Sequence, residues 1–212
     1  MSNRYLPLVL AVPAALVFLA SCSSSPEVSA TKTATEEAAA KPAGPPEPVP
    51  AMTAFWEMYK PAYEWQKDML PLGLSADNVQ GYKNHDGLSY LWTAVFVSPS
   101  RNEARTYYYS VVDSPVAPKG VTARAVQTWE GATRDSMPFQ SSAIATNSDA
   151  AWKTASEKAE GWLKKHPDKE ATITLADAER FGAPVWFIMW GNKKDGYAAF
   201  VNATTGALVS GK

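Results

Sequence analysis

Hydrophobic and polar positions change period several times along the chain, and each change marks an element. After Asn147 and Ser148, either a good N-cap, the apolar positions Trp152, Ala155, Ala159, Trp162 and Leu163 recur at helical spacing and make one face. Asp149 falls in the first turn, where a negative charge suits the helix dipole, and Lys164, Lys165 and His166 suit the other end. Pro167 stops the helix. Residues 172–175 then alternate as a strand does, and residues 184–190 form a denser apolar strand. A turn at 191–196, a strand at 197–202, a turn at 203–206 and a short strand at 207–210 complete the series. The pattern predicts one helix followed by three or four antiparallel strands.

The preceding half has the same order. Residues 55–70 read as a helix, with Trp56 and Trp65 placed much as Trp152 and Trp162 are, and with Pro61 predicting a kink or a restart. A less regular stretch, 75–82, stands where the first strand belongs, and Asn84-His85-Asp86-Gly87 is a turn signal. Residues 90–97 and 105–113 read as strands, and 121–129 as a longer counterpart of the last one. Trp65 and Trp92 lie 27 residues apart, Trp162 and Trp186 lie 24 apart, so the periods agree to within a loop. The expected fold class is α+β: two similar units, residues 53–135 and 136–212, each a helix packed on a three- or four-stranded antiparallel sheet.

What precedes these units changes the picture of where the protein resides. Arg4 supplies a short positive start, and residues 6–19 are an apolar run of fourteen, interrupted by Pro7 and Pro13. Spanning a bilayer takes roughly 20 apolar residues, so the run has the length of a signal-peptide core instead. It ends in Leu19-Ala20-Ser21-Cys22, which resembles a bacterial lipobox. The resemblance implies a signal peptide of residues 1–21, cleavage between Ser21 and Cys22, lipid on the Cys22 thiol and an acylated new amino terminus. The competing reading is a secretory signal with a chance cysteine, yet Cys22 is the chain's one cysteine and stands where the lipid would go. Stable anchoring takes more than one acyl chain, which a multiply acylated cysteine supplies. Ser23 and Ser24 stand where inner-membrane lipoproteins often carry Asp, so the resemblance implies a periplasm-facing outer-membrane lipoprotein. Residues 22–52 read as a disordered tether, without aromatics and with six prolines at 26, 42, 45, 46, 48 and 50.

Composition removes several function classes. The 212 residues carry 20 Lys+Arg against 21 Asp+Glu, a net charge of −1 that offers no field for nucleic acid. One cysteine and two histidines cannot close a Cys/His zinc site, and no cofactor or metal is expected. No nucleophile elbow, zinc-protease helix, phosphate loop or dinucleotide fingerprint occurs. His85, Asp86 and Ser89 are close in sequence, but neighbours in a tight turn point apart, and a triad is a spatial arrangement. Nothing selects a catalytic pair from Asp113, Glu130, Asp135, Asp177 and Glu179. The expectation is a protein that is not an enzyme.

Residues 149–210 resemble a PepSY-like, cystatin-like domain. The resemblance rests on a helix, a strand with an apolar-Trp core, and Asn202-Ala203-Thr204-Thr205-Gly206, where that family has Asp-Ala-x-Thr-Gly before a short last strand. Asn202 stands in place of the usual Asp. The resemblance implies a small binding or inhibitory module of extracytoplasmic proteins, some of which restrain proteases. It carries over no catalytic residue.

Aromatics are the residue class in excess. Periodicity sends Trp92, Trp152, Trp162 and Trp186 to the core. Tyr107, Tyr108 and Tyr109 are consecutive in a strand, so either Tyr108 or the Tyr107/Tyr109 pair faces outward. With Trp129 and Phe139 near a loop-rich stretch, they are the candidate binding-surface aromatics, unless the other unit covers them. The expected function is a membrane-anchored extracytoplasmic module that engages a peptide or protein. The alternative is a carbohydrate- or peptidoglycan-binding lipoprotein using exposed Trp and Tyr.

Overall fold

Two helices bury the same register of mostly small side chains. In the computed structural model, which describes residues 45–210, α1 is Ala51–Trp65 and α2 is Ser148–Leu163. Shifted by 97 positions, Ala51, Ala54, Met58 and Ala62 of α1 fall on Ser148, Ala151, Ala155 and Ala159 of α2, and all are buried. Small residues at this spacing let each helix lie close against a sheet. The same shift places Trp65 on Trp162, both half-buried against the core, and Phe55 on Trp152. Trp56 therefore has no counterpart in Trp152. It falls on Lys153 and is 45% exposed. Pro61 does not restart the helix: α1 runs through it, giving up one backbone N–H.

The strands are β1 (Val49–Pro50), β2 (Leu70–Asp77), β3 (Leu88–Ser89), β4 (Leu91–Ser98), β5 (Glu103–Ser110), β6 (Gly120–Ala123), β7 (Gln127–Thr128), β8 (Ala171–Ala176), β9 (Val185–Trp190), β10 (Tyr197–Asn202) and β11 (Leu208–Val209). Apart from the small β1–β3 pair, they form one antiparallel sheet in the order β11-β10-β9-β8-β2-β4-β5-β6, with β7 also on β5. Each unit is thus a helix followed by a four-stranded meander, and the two meanders join through their first strands. The seam holds three residue pairs: Gly73 with Ala176, Leu74 with Leu175, and Ser75 with Thr174.

One tryptophan in each unit ties its sheet to its own helix. Trp92 pairs with Ala76 and Tyr109, and Trp186 pairs with Leu175 and Val201. The Trp92 indole N–H donates to the Val49 carbonyl at 2.9 Å, and that of Trp186 to the Thr146 carbonyl at 2.9 Å. Each acceptor lies two residues before its helix begins, so a buried indole gains its hydrogen bond at the same place in both units. By this equivalence Ser75 corresponds to Thr174, its own partner across the seam, and a local two-fold passes between them.

The helix starts also meet. The Ala51 N–H donates to Ser148 Oγ at 2.8 Å and the Met52 N–H to Asn147 Oδ1 at 3.0 Å, while Asn147 caps α2 through the Ser148 N–H. Pro50 offers α1 no side-chain cap, so α2's cap residues supply one. Gly87 lies against this junction at φ +80°, and a Cβ there would come within 2.4 Å of the Ser148 carbonyl. One apolar core fills the space between both helices and one sheet face.

Three expectations change. The tether was placed as far as residue 52, yet ordered structure includes Val49–Pro50, which pair with β3. The last strand of the first unit is broken into β6 and β7, because the register against β5 slips by one residue between Ala123 and Gln127, after a last bond from the Arg124 N–H to the Thr106 carbonyl. The first strand of that unit is β2, five residues earlier than the stretch expected, with a bulge between Pro71 and Gly73. The expected signal peptide, the expected cleavage site at Ser21 and Cys22, and most of the expected tether lie outside the described residues. Among the described residues no helix is long and apolar enough to cross a membrane.

Candidate functional site

Side chains alternate across a strand, so a sheet with both helices on one face presents its other residues away from them. The set facing the helices includes Leu74, Trp92, Phe96, Tyr107, Leu175, Trp186 and Ile188, all buried. The opposite set is half-buried: Ser75, Thr93, Val95 and Tyr108 in the first unit, Thr174, Phe187, Met189 and Phe200 in the second. Its middle strip, from β2 and β8, is small: Gly73, Ser75, Thr174 and Ala176.

The flanks of this face correspond. Tyr108 and Phe200 occupy equivalent positions, next to Tyr109 and Val201. The Arg124 guanidinium stands 5.0 Å from the Tyr108 ring centre, and that of Arg180 stands 5.9 Å from Phe200 and 4.8 Å from Phe181. Phe187 stacks on Phe200 at 5.1 Å. On the Tyr108 side, Val79, Leu91, Val112 and Ala117 make a small separate core that Tyr108 packs against. On the Phe200 side the surface is open: a cavity of about 150 Å³ is lined by Phe181, Phe187, Phe200, Thr174 and Asp135. A wider one of about 420 Å³ beside it is lined by Arg134, Asp135, Glu179 and Arg180. Arg134 and Glu179 pair at 2.7 Å, both exposed.

Two carboxylates mark the strand ends. Burial pushes the Asp77 carboxyl above the ordinary range, opposed by the hydrogen bond it accepts from the Thr93 hydroxyl. Burial raises Asp177 as well, against the Ala178 N–H, and its Oδ1 has no hydrogen-bond partner. Elsewhere, hydrogen bonds from Ser100 and Ser98 hold Asp68 below the usual range.

The candidate aromatics scatter. Tyr107 is fully buried, its hydroxyl 3.4 Å from the Pro61 carbonyl, with burial raising its pKa, and Phe139 is buried at 4% exposure. Neither can line a binding surface, because both face the helix-side core. Tyr109 is half-buried on that same face, and Tyr108 alone of the three points to the open one. Trp129 is half-buried at a loop, its backbone N–H donating to the Asn102 carbonyl. Sequence pattern missed Phe187 and Phe200, which belong to strands read as core, and Trp56 and Tyr63, each 45% exposed on α1. The strand period could have found the first two, since Phe187 lies out of phase with Trp186.

Side chains considered for catalysis stay apart. His85 Nδ1 is 3.3 Å from the Asp86 carboxylate, both exposed, whereas Ser89 is buried and its hydroxyl donates to the Leu91 carbonyl at 2.8 Å. His166 Nδ1 lies 2.9 Å from the Trp162 carbonyl at the end of α2, and its ring stacks on Trp162 at 4.2 Å. Asp113 accepts the Lys119 N–H, far along the chain from the Asp135 and Glu179 cavity. Among the described residues no three His, Cys, Asp or Glu side chains gather as a metal site.

No protein-family model matches the chain, and no curated protein is similar to it. A solved structure of a candidate lipoprotein from Clostridium difficile 630 is similar over 75% of this chain and 91% of its own, with a TM-score of 0.44 and 11% identity.

Proposed function

We propose that this chain is a non-enzymatic binding module of the cell envelope. Lipid on Cys22 holds it at the periplasmic face of the outer membrane, the segment after Cys22 spaces it from the bilayer, and its open sheet face engages a protein or peptide. The observation that carries the reading is that face. An antiparallel sheet solvated on one side ordinarily alternates apolar-in with polar-out, yet Val95, Phe187, Met189 and Phe200 point away from the helices. A partner that covered them would bury aromatic rings flanked by the Arg124 and Arg180 cations, a composition common in interface centres.

A photo-crosslinking residue at Phe187, compared with one at Tyr63 on α1, tests this in envelope preparations. Discrete adducts from position 187 alone support the face; adducts from position 63 alone move the interface to the helix side. Separately, Cys22→Ala should leave the membrane fraction, and a variant that still pelleted with membranes would remove the anchor from the proposal.

A second reading, glycan binding, draws on α1. Trp56 and Tyr63 are each 45% exposed and flank the half-buried Tyr59, at 5.1 and 6.2 Å from its ring, which leaves two accessible rings along α1. Tryptophan fluorescence titrated with peptidoglycan fragments should shift under this reading, and Trp56→Ala should abolish the shift.

A further inference from the structure

The β2–β8 seam is short, and the strands part at both of its ends. At one end the chain closes the gap itself: the Met137 N–H donates to the Asp177 carbonyl at 3.0 Å and the Phe139 N–H to the Pro71 carbonyl at 3.0 Å, with the Phe139 ring buried in the core. The local two-fold relates Asp177 and Pro71 to Asn78 and Ala171 at the other end, since Pro71 pairs with Phe96 as Ala171 pairs with Trp190. There a cavity of about 230 Å³ reaches from Asn78 to Glu170 and Ala171. It shares Lys83, Asn84, Glu170 and Ala171 with a second cavity of about 380 Å³, walled by Trp152, Trp190 and Ser156.

The two units differ at this wall. In the first, Tyr59 fills the space, its ring 5.8 Å from Phe55 and 6.2 Å from Phe96. In the second, Trp152 and Trp190 replace those two rings, 5.2 Å apart, and Ser156 stands in Tyr59's place. The Ser156 hydroxyl is buried and has no hydrogen-bond partner. Around the opening, Lys83 and Lys169 are balanced by Asp86 and Glu170, so the rim selects no charged ligand.

We propose that this gap binds an extended, uncharged peptide segment of a partner protein. Its backbone bridges Asn78 and Ala171 as residues 137–139 bridge Asp177 and Pro71, and a bulky apolar side chain enters between Trp152, Trp190 and Ser156. The internal segment is the template for the occupant, and the site is separate from the open sheet face, so either can fail alone.

The probe is a capped synthetic peptide of this chain's own residues 136–141, Ser-Met-Pro-Phe-Gln-Ser. Titrated against the folded chain, it should change tryptophan fluorescence saturably. A peptide with Ala for Phe, or a Ser156→Tyr protein, should each weaken binding by about tenfold or more. Absence of saturation at millimolar peptide, or equal affinity for Ser156→Tyr, would overturn the proposal. Should Ser156→Tyr not fold, hydrogen exchange on the wild type decides. Protection at residues 78–84 and 169–171 supports the gap, whereas loss of protection at the Met137 and Phe139 amides means the peptide displaced the native segment and overturns it. Dimerisation on concentrating the chain alone, with the same protection, would give the gap to a second copy and overturn the partner assignment.

Discussion

In the first unit three rings, Phe55, Tyr59 and Phe96, fill the space between helix and sheet; in the second, two larger rings, Trp152 and Trp190, stand over a serine. The frame around them is the same. Small residues at matching helix positions, an indole bonded to the carbonyl two residues ahead of the helix, and four strands in one order recur in both. The comparison separates two kinds of position. Those that set helix-to-sheet distance and orientation have stayed alike, because a change in either moves every contact of the unit. Those that only fill volume have diverged, because total volume can be met in more than one way.

The largest expected effect tests the shared frame. Trp92→Ala and Trp186→Ala should each cost about 3–5 kcal/mol, read from urea unfolding, since each removes a fully buried side chain and orphans a carbonyl. One core runs under both units, so both variants should unfold in a single transition. Two separate transitions in either would show that the units are independent and break the comparison.

Helix register comes next. Phe55→Ala should cost about 3–5 kcal/mol and Trp56→Ala no more than about 0.5 kcal/mol, because the first ring is buried and the second is not. A larger loss from Trp56→Ala than from Phe55→Ala would mean that Trp56, and not Phe55, answers Trp152.

The helix junction breaks the symmetry and should show it at intermediate size. Ser148→Ala removes the acceptor of the Ala51 N–H and should cost about 1–2 kcal/mol in thermal or urea unfolding. Gly87→Ala should cost at least about 1 kcal/mol, since its φ is positive and the new methyl would meet the Ser148 backbone.

The smallest effect is a pH dependence at Asp77. Folding raises its pKa, so its contribution is fully present below the unfolded pKa and is lost as pH rises through the folded one. Asp77→Asn should therefore gain stability relative to the wild type across the carboxylate range, seen as a urea midpoint difference that grows with pH. A difference that shrank would mean that the Thr93 hydrogen bond outweighs the burial of the charge.

Much of this organisation was legible from side-chain order. The 148–163 helix, its Asn147 cap and the strands at 185–190 and 197–202 follow from local period and turn chemistry, and they form where the period places them. Three tyrosines in a row required opposite faces, and Tyr108 alone took the open one. Trp56 was misread because Phe55 and Trp56 are adjacent aromatics, and helical period separates them only once the buried alanines fix the phase. Strand β2 was missed at its start because Pro71 and Gly73 are poor strand residues, and pairing with β4 and β8 overrides their preference. Phe139 looked like a surface residue because loops are usually exposed, yet it plugs the opening between two strands.

Hydrophobic period determined the kinds of element, their order and the duplication, because helix and strand write their burial every 3.6 or 2 residues into the chain itself. The resemblance of Leu19-Ala20-Ser21-Cys22 to a lipobox likewise rests on residue order alone. Which sheet face stays open, how the two units join, and which gap the chain fills with its own segment were decided only in three dimensions. Each rests on pairs such as Ser75 with Thr174 or Ala51 with Ser148, about a hundred residues apart, whose choice of partner leaves no local period to read.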